Sequence, residues 1–249
     1  MNKLGIMMAG LALAAGAQQP KVKSQKEADA VMAIMNAQNP DEQIAAAENL
    51  LTKFHDTEFK AVALQLAAGA AQQKNDFEKM TIYAERTLQA DPKNYTVMLM
   101  MALGIAQKTR EFDLDKEEKL KNAEKYANDA IQLIKTAQKP RPDITDEQWN
   151  AAKKDFTAQG YEALGMTAMV RKNAADAVTN FKAAMEGAST PDVTTKVRLA
   201  AAYNLAQNFE AAITLIDSVM VEPNLNPTIR QFAAQEKLKA ATGRAAQKK

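Results

Sequence analysis

Residues 61–95 read AVALQLAAGAAQQKNDFEKMTIYAERTLQADPKNY. Leu64, Ala67, Ala68 and Ala71 recur in it at the three- and four-residue steps that bring side chains to one face of an α-helix. Asn75-Asp76-Phe77 makes a turn, Ala84 and Leu88 continue a second helical face, and Asp91-Pro92 closes it. The stretch is therefore a helix-turn-helix unit whose apolar face is built mainly from small residues, which let backbones approach closely. A single unit of this kind cannot cover its own apolar face, so it needs neighbours of the same shape.

The neighbours lie at a 34-residue step on either side. One step back, Ala46, Leu50 and Phe54 occupy the second-helix positions of a more degenerate copy that begins near Glu27. One step forward, Met98, Met101, Ala102 and Ile105 form a first helix, and Ala123, Ala127, Ala130 and Ile131 form a second. An insertion at 109–120 (TREFDLDKEEKL) separates those two helices. A fourth copy carries Tyr161, Leu164, Gly165 and Ala168, then Ala177, Phe181 and Ala184, and ends by Pro191. The fifth supplies Leu199, Ala200, Tyr203, Phe209, Ala212, Ile216 and Pro223.

No stretch alternates with period two, and the breaks at Asn39-Pro40, Asn75-Asp76, Asp91-Pro92, Pro140-Pro142, Pro191 and Pro223 leave about eleven helices. The copies fall near 27–60, 61–94, 95–137, 138–191 with an extended first helix, and 192–226. That extended helix is predicted to begin at Thr145, where Thr145-Asp146-Glu147-Gln148 forms a capping box, and to run to about Lys172. Residues 227–249 read as a capping helix over about 227–242 followed by a basic tail, with Ile229, Phe232, Ala233 and Glu236 on one face.

Only 9 Gly and 8 Pro interrupt the 249 residues, and Ala is plentiful, so an all-α fold is expected. The 32 basic and 30 acidic residues are mixed along the chain, which argues against a nucleic-acid surface. Cys is absent, which excludes disulfides, thiolate chemistry and cysteine-ligated metals. The opening MNKLGIMMAGLALAAGA places one Lys before a short apolar run and ends in Ala15-Gly16-Ala17, the pattern of a secretory signal cut after Ala17. A retained membrane anchor is the alternative, although the run is short for a bilayer span. Cleavage implies a periplasmic or secreted chain with no stable membrane span, in which residues 18–26 form a polar tether.

The five copies, with TLQADPKNY at 87–95 as the clearest junction, resemble the tetratricopeptide repeat (TPR) family, and the leader makes the whole similar to exported bacterial TPR proteins. The resemblance implies a right-handed α-α superhelix of about five helical pairs plus the C-terminal cap. It also implies a non-enzymatic scaffold, free of cofactors, that holds a protein or peptide partner on a concave face lined by the first helix of each pair. Carried onto this sequence, that face holds Gln65, Gln72 and Gln73, then Leu99, Met100, Leu103 and Gln107, then Glu162, Met166 and Met169, and finally Arg198 and Asn204. The basic clamp by which chaperone-binding TPRs hold a terminal carboxylate is missing apart from Arg198. The Leu and Met strip would suit an amphipathic helix or an extended apolar segment, and packing between helices is the competing role for each Met.

Residues that carry chemistry are sparse. His55, the only histidine, stands at a predicted helix C-terminus, where a cation-capable side chain is favoured, and no G-x-S-x-G elbow accompanies it. Asp113, Asp115 and Glu117 alternate as calcium ligands do, but the Gly and the terminal Glu of such a loop are missing. Glu162 is the one acid on the expected groove, and glycoside hydrolysis needs two. Trp149 is read as packing beneath the preceding loop, with a partner contact as the alternative. A self-associating envelope component is the second functional reading.

Overall fold

The computed structural model describes residues 20–247, and these form eleven α-helices and no strand. They are α1 (Gln25–Asn36), α2 (Pro40–Lys53), α3 (Lys60–Gln73), α4 (Phe77–Ala90), α5 (Tyr95–Lys108), α6 (Lys116–Thr136), α7 (Asp146–Val170), α8 (Ala174–Gly187), α9 (Val193–Leu205), α10 (Phe209–Met220) and α11 (Pro227–Gln247). Every helix packs on the next, and α1 with α3, α5 with α7 and α9 with α11 also touch across one intervening helix. This all-α, consecutive packing is that of a helical solenoid. The expected signal peptide, residues 1–17, lies outside the described residues.

The core follows from that order as a row of local clusters. Ile34, Leu50, Leu64, Met80 and Val97 unite α1 to α5, and Tyr95, Leu99, Ile134, Trp149 and Phe156 unite α5 to α7. Phe181 and Leu199 join α7, α8 and α9, while Val197, Ile216 and Ala233 join α9, α10 and α11. Each cluster draws on neighbouring helices, so stability is approximately a sum of local terms.

Small residues set the helix crossings. A Cβ added at Gly165 would stand 2.7 Å from the Phe181 ring, and one at Gly160 would stand 2.6 Å from Ile131. At Gly104 the added atom would meet Met80 at 2.8 Å, and at Gly243 it would run into the Phe209 ring. These glycines give up helix propensity so that a large side chain of the adjacent helix can lie against the backbone.

One turn recurs three times. Between α3 and α4, Asn75 has φ 56°, its N–H bonds the Gln72 carbonyl, and the Asp76 N–H reaches back to the Ala71 carbonyl. Lys172 and Asn173 repeat this geometry after α7, and Gln207 and Asn208 repeat it after α9. In each case the residue after the left-handed one caps the next helix, since Asp76, Asn173 and Asn208 accept from the N–H groups of Lys79, Asp176 and Ala211. This is a Schellman stop fused to an N-cap start. Lys and Gln are costly in the left-handed region, at about 1 kcal/mol or more. Gln207→Gly is therefore expected to leave stability unchanged or raise it by up to about 1 kcal/mol, measured by denaturant unfolding.

Three boundaries differ from the sequence reading. Ser24 caps α1, Lys23 pairs with Asp56, and the Lys21 N–H bonds Glu58, so residues 20–26 are fastened to the first helices instead of hanging as a tether. Within the 109–120 insertion, Lys116 already begins α6 and Leu120 is buried, because the apolar period of α6 extends one turn further back. The last helix continues to Gln247, held by Lys237 on Asp217 and Arg244 on Glu210. On it Ala233 and Glu236 are buried as expected, while Phe232 is turned outward.

At the N-terminal end the buried Glu27 accepts from the Thr57 hydroxyl at 2.7 Å and from the Lys23 N–H at 2.6 Å. The Thr57 bond, with the Lys23 N–H second, holds its carboxyl below the ordinary glutamate value. A carboxyl lowered on folding contributes stability that is fully present above its unfolded pKa of about 4.3 and is lost as pH falls through the lower folded value. Thr57→Val is expected to reduce stability at pH 7 and to flatten its decline below that point, a difference read from unfolding curves at pH 7 and pH 3.

A polar cleft between α7, α8 and α9

At 25 residues α7 is far longer than the 14-residue α8 that packs against it. Its capping box is complete: the Thr145 hydroxyl accepts from the Gln148 N–H, and the Gln148 side chain accepts from the Thr145 N–H. The extra N-terminal turns pack on α5 and α6 through Trp149 and Phe156. Trp149 is buried and donates its indole N–H to the Ala137 carbonyl at 3.2 Å, so it packs beneath the preceding loop as the sequence suggested. Phe156 meets the Tyr95 ring edge-on, with centroids 5.4 Å apart.

Residues 188–192 connect the end of α8 at Gly187 to the start of α9. Asp155 of α7 fastens this connection, accepting from the Ser189 N–H and the Ser189 hydroxyl, each at 2.8 Å. A cleft of about 230 Å³ remains between the three helices. Ala158, Ala184 and Ala188 give it an apolar lining, while Asp155, Gln159, Glu162, Thr190, Asp192 and Thr195 give it a polar one.

Glu162 forms an ion pair with Arg198 of α9, and the buried Thr195 hydroxyl stands 3.4 Å from the same carboxylate. Asp192 precedes α9 but makes no side-chain cap bond, and its carboxylate is exposed beside the cleft. Three carboxylates thus line this space, and one of them, Glu162, is paired with a guanidinium, an excess of two negative charges.

Of the twelve expected groove residues, the fold brings Glu162 and Arg198 into contact and disperses most of the others. Gln65 and Leu99 are buried: Gln65 accepts from the Asn94 amide at 2.9 Å, and Leu99 packs in the cluster with Trp149. Met100 is half-buried against the α1–α5 cluster, and Met166 and Met169 are half-buried against the one around Phe181. Leu103 packs beside Ala102, Ala127 and Ala163. Asn204 donates to the backbone carbonyl and the carboxylate of Glu236, both at 2.9 Å. Gln72, Gln73 and Gln107 are exposed near the C-terminal ends of α3 and α5. Gln159, Thr190 and Asp192 line the cleft without having been singled out in the sequence.

The remaining acids have structural partners. Asp113 and Asp115 face Lys119 at 3.4 and 2.8 Å, and Glu117 binds Arg171 at 2.9 Å, which holds its carboxyl below the usual range. His55 is exposed just beyond the end of α2. Among the described residues no helix is long and apolar enough to cross a membrane. No protein-family model matches the chain, and no curated protein matches it.

Proposed function

We propose that this chain is an exported TPR-type scaffold: a right-handed superhelix that works in the periplasm, after cleavage at Ala17, as a non-enzymatic adaptor for a peptide or protein segment. The observation that carries the reading is the cleft along α7 and α9, which is open, partly apolar and rimmed by side chains able to hydrogen-bond a backbone. The sequence periodicity and the recurring turn at Asn75, Lys172 and Gln207 support the repeat reading. The site offers binding groups, and its best-placed acid, Glu162, is engaged by Arg198.

The half-buried Met100 and Met166 are poor positions for a test, because a charge there would disturb packing. Gln159→Arg with Asp192→Arg instead fills the cleft from its rim. In a pull-down from envelope extract, the whole chain is expected to retain a partner that this double variant loses by about tenfold or more, the equivalent of 1.4 kcal/mol. Equal retention by a folded variant would refute binding at the cleft.

Phe112 and Leu114 favour the second reading, self-association, since both are almost fully exposed at 88% and 107% on an otherwise ion-paired loop. Light scattering of Phe112→Ser with Leu114→Ser against the parent chain separates the two. A parent that is monomeric at high micromolar concentration removes this alternative.

A further inference from the structure

We propose that the cleft between α7, α8 and α9 recognises a basic side chain, Lys or Arg, projecting from an extended peptide. The inference rests on the scaffold reading above and names the chemistry of its ligand.

Three features converge on it. First, the lining is net negative by two charges, in a chain whose overall formal charge is +2, so the cleft departs in sign from the molecule as a whole. Second, the fold already places a cation at one end, where the Arg198 guanidinium lies on Glu162 with the Thr195 hydroxyl close by. Seven residues before Glu162 on α7, and at the start of α9, the acidic chemistry is repeated without an ion pair among the described residues: Asp155 accepts from the two Ser189 donors, and Asp192 makes no cap bond. Each carboxylate oxygen of Asp155 accepts one bond and keeps a further acceptor site, so the pair can receive the donors of an ammonium or guanidinium group. Third, Ala158, Ala184 and Ala188 supply the apolar contact that the methylene stem of a long basic side chain covers while its head stays at the polar rim. A volume of about 230 Å³ suits a single side chain rather than a helix.

The test is an NMR titration of the whole nitrogen-15-labelled chain at low salt. One probe is acetyl-Ala-Ala-Lys-Ala-Ala-amide and the other is the same peptide with Gln in place of Lys. The Lys peptide is expected to shift the backbone amides of Gln159, Thr190, Asp192 and Thr195 saturably, and the shifts should weaken with added salt. Asp155→Asn with Asp192→Asn is expected to weaken that binding about three- to tenfold while the amide spectrum of α1 to α4 stays unchanged. Equal shifts from the Gln peptide would overturn the cation inference and leave the scaffold reading standing. Shifts outside the cleft only, no shift from either peptide, or an unaffected double variant would each overturn it too. Failure of the scaffold reading is seen separately, as a parent chain that retains no partner above background in the pull-down from envelope extract.

Discussion

Phe181→Ala is expected to lower the unfolding free energy by about 3–5 kcal/mol, the range for removing a buried aromatic ring from a close-packed site. Phe181 is 1% exposed, and its ring lies on the backbone of α7 at Gly165 while sharing a cluster with Leu199 of α9. Losing it therefore loosens three helices at once. The same geometry predicts a sign reversal at its neighbour. In the parent chain Gly165→Ala drives a methyl to 2.7 Å from the ring and should cost about 1–3 kcal/mol. With Phe181 already Ala, that methyl enters vacated space and should recover up to about 1 kcal/mol through helix propensity. Urea unfolding of the four proteins in the cycle measures the coupling, and additive effects would contradict the contact. Hydrogen exchange should place the lost protection in α7 to α9 and leave α1 to α4 nearly unchanged.

Removal of residues 227–249 should have an effect of similar size at the other end of the molecule. Ala233 and Ala240 of α11 cover Val197, Ala200, Ala212, Ile216 and Val219, and the Phe209 ring lies on Gly243. Without this cap, α9 and α10 present an apolar face to water, and their local stability is expected to fall by roughly 3–5 kcal/mol, comparable to a large core truncation. Sedimentation velocity should then show association at concentrations where the whole chain stays in its smallest form. A truncated chain that keeps full protection in α9 and α10 would show that α11 is dispensable.

Much of the fold was legible because the repeat places small and large residues at fixed steps. The capping box at Thr145 and the burial of Trp149 could be read directly, since the first is a local motif and the second an aromatic one turn into a capped helix. The recurring left-handed turn was hidden. Two of its three central residues are Lys172 and Gln207, which carry no local signal for positive φ, and the flanking helices hold them there.

The cleft was harder still to read. Glu162 and Arg198 were each placed on a concave face from their own repeats, but their pairing depends on how α9 packs beside α7, and the Asp155 to Ser189 bonds that hold the connection between α8 and α9 lie 34 residues apart in sequence. Gln65 and Leu99 were expected on the concave face from the family resemblance, whereas helical spacing identifies only the faces of one helix. Which face a neighbour covers is decided by packing between repeats, and here Asn94 and the Trp149 cluster cover them.

The most direct test of the scaffold reading places a photo-crosslinking residue at position 159, beside the cleft, and in a second protein at exposed position 118 on α6. Both are irradiated in envelope extract and the conjugates are identified by mass spectrometry. The account predicts a discrete protein conjugate at 159 that is missing at 118 and disappears when Asp192→Arg is added. Conjugates at 118 alone, or the same set at both positions, would contradict it.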